Sequence, residues 1–142
     1  MSLTEPIERL WGGRFQSEPS DALQNLSRSD PSFYRLVPYD LAGSRAHARE
    51  LNRAGIVNDD DLAQLLAAMD GIARDYAAGA IAPSLADEDV HTFLERVLTQ
   101  RLPALGGKLR AGRSRNDQAA NDLRLYLRDK ARQLVRGVLD LQ

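Results

Sequence analysis

The 142-residue sequence contains no cysteine. This excludes a disulfide framework and any chemistry or metal ligation that uses a thiolate, and it fits the reducing environment of the cytoplasm. Long apolar runs are missing too: none approaches the roughly 20 residues that a membrane span needs. The first residues, Met1 to Arg9, lack the apolar centre of a signal peptide. We therefore expect a cytoplasmic protein that does not bind a membrane.

An excess of one charge and a β-strand pattern are also absent. Lysine and arginine number 19 against 20 aspartates and glutamates, a formal net charge of −1, so no overall basic field predicts a nucleic-acid partner. No segment alternates apolar and polar residues with a period of two. Because 43% of the residues are hydrophobic, the chain can form a core. The composition and pattern predict an all-α fold.

Helix signals divide the chain into segments. A polar loop with Pro31 ends the first helix, Gly55 is suited to the C-terminal end of the second, and Asn58 caps the third. The third also carries an apolar stripe that predicts burial: Leu62, Leu65, Leu66, Met69, Ile72, Ala73 and Tyr76. The predicted helices span residues 21–26, 39–54, 58 to about 79, 84 or 87 to 101, and 117–142.

The last predicted helix has apolar residues on two sides. One stripe consists of Leu123, Leu127, Ala131, Leu134, Val138 and Leu141, and the other of Leu125, Val135 and Leu139. Two apolar faces predict partners on two sides. No glycine or proline caps the helix at Gln142. We therefore interpret it as the first part of a long helix of a helical bundle, cut before its end.

A polar loop over residues 106–118 precedes this helix. It concentrates four cations, Lys108, Arg110, Arg113 and Arg115, which suit carboxylate or phosphate. Residues with N-cap chemistry follow at the helix start, where free N–H groups also attract anions: Ser114, Asn116 and Asp117. We interpret the loop as an anion-binding loop.

Two other interpretations of this loop stay open. From Gly107 to Ser114 it resembles a nucleotide-binding phosphate loop. However, Arg113 replaces the required lysine and no β-strand precedes it. The second alternative is a basic surface turn between two helices.

A second candidate site surrounds His91. At helical spacing, Asp87 or Glu88, His91 and Glu95 share one edge, a pattern compatible with a metal. Three interpretations remain: a metal site, a carboxylate-held histidine that orients a polar site, and a half-buried histidine with acidic neighbours. The only other histidine is His47 and cysteine is absent, so we expect no metal.

Several motifs resemble those of one enzyme family, the argininosuccinate lyases of the fumarase/aspartase superfamily. The loop supplies Gly107-Lys108-Leu109 and Gly112-Arg113-Ser114-Arg115-Asn116-Asp117-Gln118. Further matches are Leu10-Trp11-Gly12-Gly13-Arg14-Phe15, Tyr39-Asp40-Leu41 with Gly43-Ser44, and Asp87-Glu88-Asp89-Val90-His91. The resemblance favours a carboxylate-held His91.

The resemblance implies β-elimination of argininosuccinate to arginine and fumarate, a step of arginine biosynthesis, in a homotetramer that needs no cofactor. The family's catalytic acid/base segments lie further along the chain, so the resemblance implies no catalytic residue here. We expect the segment alone to be inactive. An alternative from another class is a non-catalytic helical assembly module or a crystallin-like relative that keeps the fold.

The resemblance also implies roles for particular residues. Those implied to bind substrate are Ser29, Arg113, Ser114, Arg115 and Asn116, with Asp89 and His91 in support. The chain departs from the family pattern at Ser32 and Phe33, where the family has an aromatic residue and then an aspartate.

We predict three parts. Residues 1–20 form an extended arm, whose Trp11 and Phe15 anchor it on a neighbouring surface. Residues 21–112 form an N-terminal helical domain, and residues 113–142 start the central bundle helix.

Overall fold

The structure, a computed structural model, describes residues 20–142. Within that range it is all-α, as predicted, with no β-strand. The α-helices are α1 (Asp21–Ser27), α2 (Val37–Arg53), α3 (Asp59–Ala77), α4 (Val90–Arg101) and α5 (Arg115–Asp140). Two short 3-10 helices cover Pro31–Leu36 and Gly106–Arg110. The prediction that Trp11 and Phe15 anchor an arm falls outside the described residues.

The helices α2 and α3 form a hairpin that carries much of the core. The turn between them uses Gly55 at a φ of 72°, a left-handed conformation that glycine adopts without strain. The Asn58 side chain then accepts a hydrogen bond from the Asp61 N–H, 2.7 Å away, which starts α3. On α3, Leu65, Met69 and Ile72 are buried. The apolar stripe therefore predicted both the helix and its buried face.

The start of α4 differs from the prediction. Its N-cap is Asp89, which accepts from the Thr92 N–H at 2.7 Å, and neither Ser84 nor Asp87 caps it. The carboxylate of Asp87 is instead fully buried and bridged by Arg96, at 2.8 Å to Nε and 2.7 Å to Nη2. This ion pair holds residues 84–89 as a loop against α4, because a buried carboxylate needs a charged partner.

Helix α5 begins at Arg115, two residues before the predicted start, and ends at Asp140, two residues before Gln142. The part of α5 up to Asp129 packs on α2, where the Tyr39 hydroxyl donates to Asp129 Oδ2 at 2.7 Å. Most of the large apolar residues of α5 and its C-cap are exposed, whereas Leu125 is half-buried. The exposed ones are Leu123, Leu127, Leu134, Val135, Val138, Leu139 and Leu141. The boundary between residues 112 and 113, and the membership of α5 in a bundle, stay predictions. Among the helices described, none is long and apolar enough to cross a membrane.

Candidate functional site

The segment just before α4 connects the two loops that the sequence singled out. The Ser29 N–H donates to the Glu88 carbonyl at 2.7 Å. From the other side, Arg115 Nη1 lies 3.1 Å from Asp89 Oδ2 and 3.6 Å from Glu88 Oε2. Along the chain, Ser29 lies 60 positions before Asp89, and Asp89 lies 26 positions before Arg115. The fold therefore brings three of the sequence-predicted site residues to one place.

Asp89 is held so that it can orient Arg115. One of its carboxylate oxygens, Oδ1, accepts from both the N–H and the hydroxyl of Thr92 at 2.7 Å. The second oxygen faces Arg115. Because capping fixes one half of the carboxylate, the other half gives the guanidinium a defined anchor. A guanidinium carries five N–H donors, so this contact leaves others for a ligand.

The N-terminus of α5 presents Asn116 outward. The Ser114 hydroxyl accepts from the Asn116 N–H at 3.1 Å, and the Ser114 N–H donates to Asp117 Oδ2 at 2.9 Å. This reciprocal capping box fixes the first turn. The Asn116 side chain is exposed and makes no hydrogen bond with a described residue. It therefore lies beside the positive end of a rigid helix with its amide available.

Arg113 takes a different direction from Arg115. Gly112 has a φ of 66°, and after this left-handed residue the Arg113 side chain runs inward, where Nη1 donates to Ser44 Oγ at 2.8 Å. The structure thus places Arg113 against α2. Of the predicted substrate-binding residues, Arg113 and Ser114 are engaged within the protein.

Two of the four loop cations, Lys108 and Arg110, form ion pairs within the protein. Residues 106–110 fold into a 3-10 helix that directs Lys108 and Arg110 towards other helices. Lys108 Nζ pairs with Asp61 at 2.9 Å, and Arg110 Nη1 with Glu95 at 3.0 Å. These partly exposed pairs contribute little stability. The anion-binding capacity of the loop therefore rests on its C-terminal end.

His91 has a carboxylate partner, but not one of those that the helical spacing suggested. Its Nδ1 lies 2.8 Å from Asp40 Oδ2 on α2. Asp40 also accepts from the Ser44 hydroxyl at 3.0 Å and the Gln118 amide at 3.1 Å. The prediction that Asp87 or Glu95 lies beside His91 is wrong, because Asp87 binds Arg96 and Glu95 binds Arg110. His91 is buried and ties α4 to α2 and α5.

The hydrogen bond between His91 and Asp40 shifts the pKa of both groups. Burial alone would lower the pKa of His91, but the hydrogen bond and charge of Asp40 raise it above its ordinary value. Burial alone would raise the pKa of Asp40, but His91 and then Arg113 hold it below the ordinary value. Each group therefore favours the charged form of the other.

Asp122 completes this inner cluster. One carboxylate oxygen from each of Asp40 and Asp122 and one ring nitrogen of His91 lie within 4.8 Å of one another, a spacing that a cation could use. Asp40 and His91 are already hydrogen-bonded to each other, so we assign no metal. Sequence reasoning missed Asp122, although Gln118 and Asp122 lie four residues apart on the first turns of α5, which places them on one helix face.

A small cavity adjoins the inner cluster. Its volume is about 40 Å³, and its lining includes Asp40, Ser44, His91, Arg113 and Gln118. A cavity of this size holds a water or two and no amino-acid substrate. The candidate site is therefore the outer group of residues, Ser29, Asp89, Arg115 and Asn116, and not this cavity.

Comparison with known proteins agrees with the motifs. The family model described as Lyase matches residues 13–142. The chain belongs to the lyase family. This lyase-family chain is 61% identical over 140 residues to argininosuccinate lyase 1 of Pseudomonas fluorescens (strain Pf0-1), which covers 99% of the chain and 30% of that relative. It is 58% identical over 140 residues to argininosuccinate lyase 2 of Rhizobium meliloti (strain 1021), covering 99% of the chain and 28% of the relative.

A third relative is argininosuccinate lyase of Acidothermus cellulolyticus (strain ATCC 43068 / DSM 8971 / 11B), 60% identical over 137 residues, with 96% of the chain and 28% of the relative covered. The chain thus spans less than a third of the length of the curated relatives it matches. The resemblance that the sequence motifs carry is confirmed.

Proposed function

We propose that the chain is the N-terminal part of an argininosuccinate lyase and supplies part of its substrate-binding surface. The complete enzyme cleaves argininosuccinate to arginine and fumarate by β-elimination. It acts in the cytoplasm as a homotetramer, without a cofactor, and its acid/base residues come from the remainder of the polypeptide. The relatives named argininosuccinate lyase support this assignment.

The observation that carries the proposal is that Ser29 and Arg115 both contact the segment Glu88–Asp89, while Asn116 follows Arg115 directly in the first turn of α5. Arg115 is anchored by a carboxylate, and Asn116 is fixed by the first turn of α5. Ser29 is held through its backbone N–H, so its side-chain hydroxyl is not needed for this contact. A guanidinium and two neutral side chains thus stand on backbone positions that hydrogen bonds fix, and we infer that they face one ligand.

This set of donors suits the elimination chemistry. Removal of a proton next to a carboxylate builds negative charge on that carboxylate in the transition state. Donors that are already in place stabilise this charge where it develops, without reorganisation. We assign Arg115 and Asn116 to a carboxylate of the succinate portion, with Ser29 reaching it from the opposite loop.

The remaining site residues position these three. Ser114 caps α5 and Asp89 orients Arg115. Arg113 and His91 join the loop and α4 to α2. We therefore assign substrate contact to Ser29, Arg115 and Asn116, and placement of the loop to Arg113, Ser114, Asp89 and His91.

The proposed substrate can be tested with the complete enzyme. Fumarate release is followed by absorbance with argininosuccinate and, in parallel, with adenylosuccinate, aspartate and malate, which could also yield fumarate. We expect turnover of argininosuccinate alone. Turnover of another of these compounds would reassign the substrate, and a folded enzyme that turns over none would favour a non-catalytic helical protein.

A further inference from the structure

The side chain of Asp122 is unusual among the buried polar groups of the chain. It lies on the inner face of α5 with an exposed fraction of 0%. Neither of its carboxylate oxygens has a hydrogen-bond partner among the described residues. A buried, ionised carboxylate without a donor is costly. The side chain must therefore be compensated in another way.

Its neighbours come from every element packed around it. Asp40 faces it from α2, His91 from α4, and Arg113 from the loop before α5. Asp122 Oδ2 lies 3.9 Å from His91 Nδ1, too far for a hydrogen bond. The imidazole instead bonds to Asp40 at 2.8 Å. Two buried carboxyls therefore lie side by side, and among the described residues only Asp40 has hydrogen-bond donors.

We propose that Asp122 is a protonated positioning residue, and that its proton is shared with the carboxylate of Asp40 to join α5 to α2. Two carboxylates packed side by side cannot both ionise without repulsion. A proton on Asp122 gives this side chain a donor, and Asp40 is the acceptor within reach. Asp122 lies eight residues after Ser114 and six after Asn116, so this bond holds the start of α5, which presents Asn116.

The electrostatics of the cluster agree with this arrangement. Burial, and then the carboxylate of Asp40, raise the pKa of Asp122 to about 7, while His91 and Arg113 oppose the shift. Asp40 stays ionised because it also accepts from His91, Ser44 and Gln118. A bound cation would have to displace these donors from Asp40, whereas a proton leaves them in place.

The sign of the effect on stability follows from linkage. The folded-state pKa of Asp122 lies above its ordinary value, so the folded protein holds a proton that the unfolded chain releases. Stability therefore falls as pH rises from about 4 to about 7, and this contribution is constant above that range. The substitution Asp122→Asn removes this pH-dependent contribution, while the amide of the new asparagine side chain can still donate a hydrogen bond to Asp40.

Infrared spectroscopy of the complete enzyme tests the proposal. At about pH 6 exposed carboxyls are ionised, so a protonated C=O band reports a buried acid. We expect this band in the wild type, its disappearance on titration through about pH 7, and its absence from Asp122→Asn. The control Asp60→Asn changes an exposed aspartate of α3 and should keep the band. A wild type without the band, or a band that survives in a folded Asp122→Asn protein, would overturn the proposal.

Thermal unfolding provides an independent readout. The Tm of Asp122→Asn minus that of the wild type should increase between about pH 4 and pH 7 and then stay constant. The same scans with added Zn²⁺ examine the alternative of a cation site. A Zn²⁺-dependent rise in Tm for the wild type but not for Asp122→Asn would contradict a shared proton. If the variant does not fold, the titration of the wild-type infrared band decides.

Discussion

Arg115, which we propose to bind substrate, is oriented by two carboxylates. Its guanidinium is anchored by Asp89 and approached by Glu88, and these contacts restrict the orientations of a long side chain before substrate arrives. A fixed fork recognises a carboxylate with two parallel hydrogen bonds. Lysine has the same charge but no fork. The proposed role of Arg115 therefore depends on the geometry of its guanidinium more than on its charge.

We predict that Arg115→Lys lowers kcat/KM of the complete enzyme by a factor equivalent to about 2 to 4 kcal/mol of transition-state stabilisation, the scale of one preorganised donor. The matched control is Arg110→Lys, because Arg110 belongs to the same loop but pairs with Glu95 at an exposed position. It should keep nearly wild-type kcat/KM. Wild-type kinetics for Arg115→Lys would show that the loop is only a basic turn.

Whether the hydrogen-bond partner of a residue could be predicted depended on how far away that partner lies along the chain. Ser114 and Asp117 are three positions apart, so their capping chemistry could be read from the sequence. The partner of His91 could not, because Asp40 lies 51 positions away on another helix. Local spacing suggested Asp87 and Glu95 instead. A periodic pattern gives the face of a helix, but tertiary packing decides which carboxylate meets that face.

At the scale of elements, the 3-10 helix over Gly106–Arg110 packs tightly on α4. A Cβ added to Gly106 would lie 2.9 Å from the Thr99 Cα, a backbone atom that cannot rotate away. At Gly107 the same addition meets nothing within 4 Å. The two adjacent glycines therefore differ in their tolerance of a methyl group.

We predict that Gly106→Ala lowers the free energy of unfolding by about 1 to 3 kcal/mol, the usual cost of overpacking. Gly107→Ala serves as the control. Its methyl group has space and alanine restricts the unfolded chain, so the free energy of unfolding should stay the same or rise by up to about 1 kcal/mol. Urea denaturation of both variants gives the comparison. Equal destabilisation would mean that flexibility, and not close packing, selects Gly106.

A second element-scale prediction concerns the ion pair of Asp87 and Arg96, which holds the loop that carries Glu88 and Asp89. Burial alone would raise the pKa of Asp87, but the hydrogen bonds of Arg96 hold it below the ordinary value. We predict that Arg96→Gln costs about 3 kcal/mol of stability at neutral pH, because it leaves a buried carboxylate uncompensated. Arg101→Gln on the same helix breaks a more exposed pair with Asp75 and should cost less than about 1 kcal/mol.

The pH dependence gives this prediction a sign. A lowered folded-state pKa means that Asp87 contributes stability above its ordinary pKa and loses it as pH falls through the folded value. Wild-type stability should therefore decline in acid below about pH 4. Arg96→Gln should flatten that decline, as measured by Tm against pH. A decline as steep as that of the wild type would show that other carboxylates cause it.

The start of α4 shows why element boundaries were harder to predict than element identity. The segment before α4 contains three residues whose side chains can cap a helix: Ser84, Asp87 and Asp89. Asp87 does not cap the helix because its carboxylate binds Arg96, nine positions later, and the sequence alone does not show this contact. In contrast, the N-cap, the acidic first turn and the apolar stripe of α3 all indicated the same helix. Both ends of α3 were therefore predicted within two residues.

At the scale of the whole molecule, the second half of α5 is the least covered part of the described chain. Between Lys130 and Leu141 every residue is exposed, including Leu134 at 70% and Leu139 at 61%. We predict that the 142-residue chain self-associates through this apolar surface or that this end of α5 frays. Sedimentation and amide hydrogen exchange measure the two outcomes. A monodisperse monomer with strong protection from Leu123 to Leu141 would refute the prediction.

We propose that Ser29, Arg115 and Asn116 bind substrate, and that the acid/base residues lie elsewhere in a longer lyase. The most direct test measures fumarate release from argininosuccinate by the 142-residue chain and by the complete enzyme in the same assay. The complete enzyme should turn over the substrate, and the chain should not exceed a buffer blank. Turnover by the purified chain would contradict the division of roles, and failure of a folded, complete enzyme to release fumarate would contradict the proposed function.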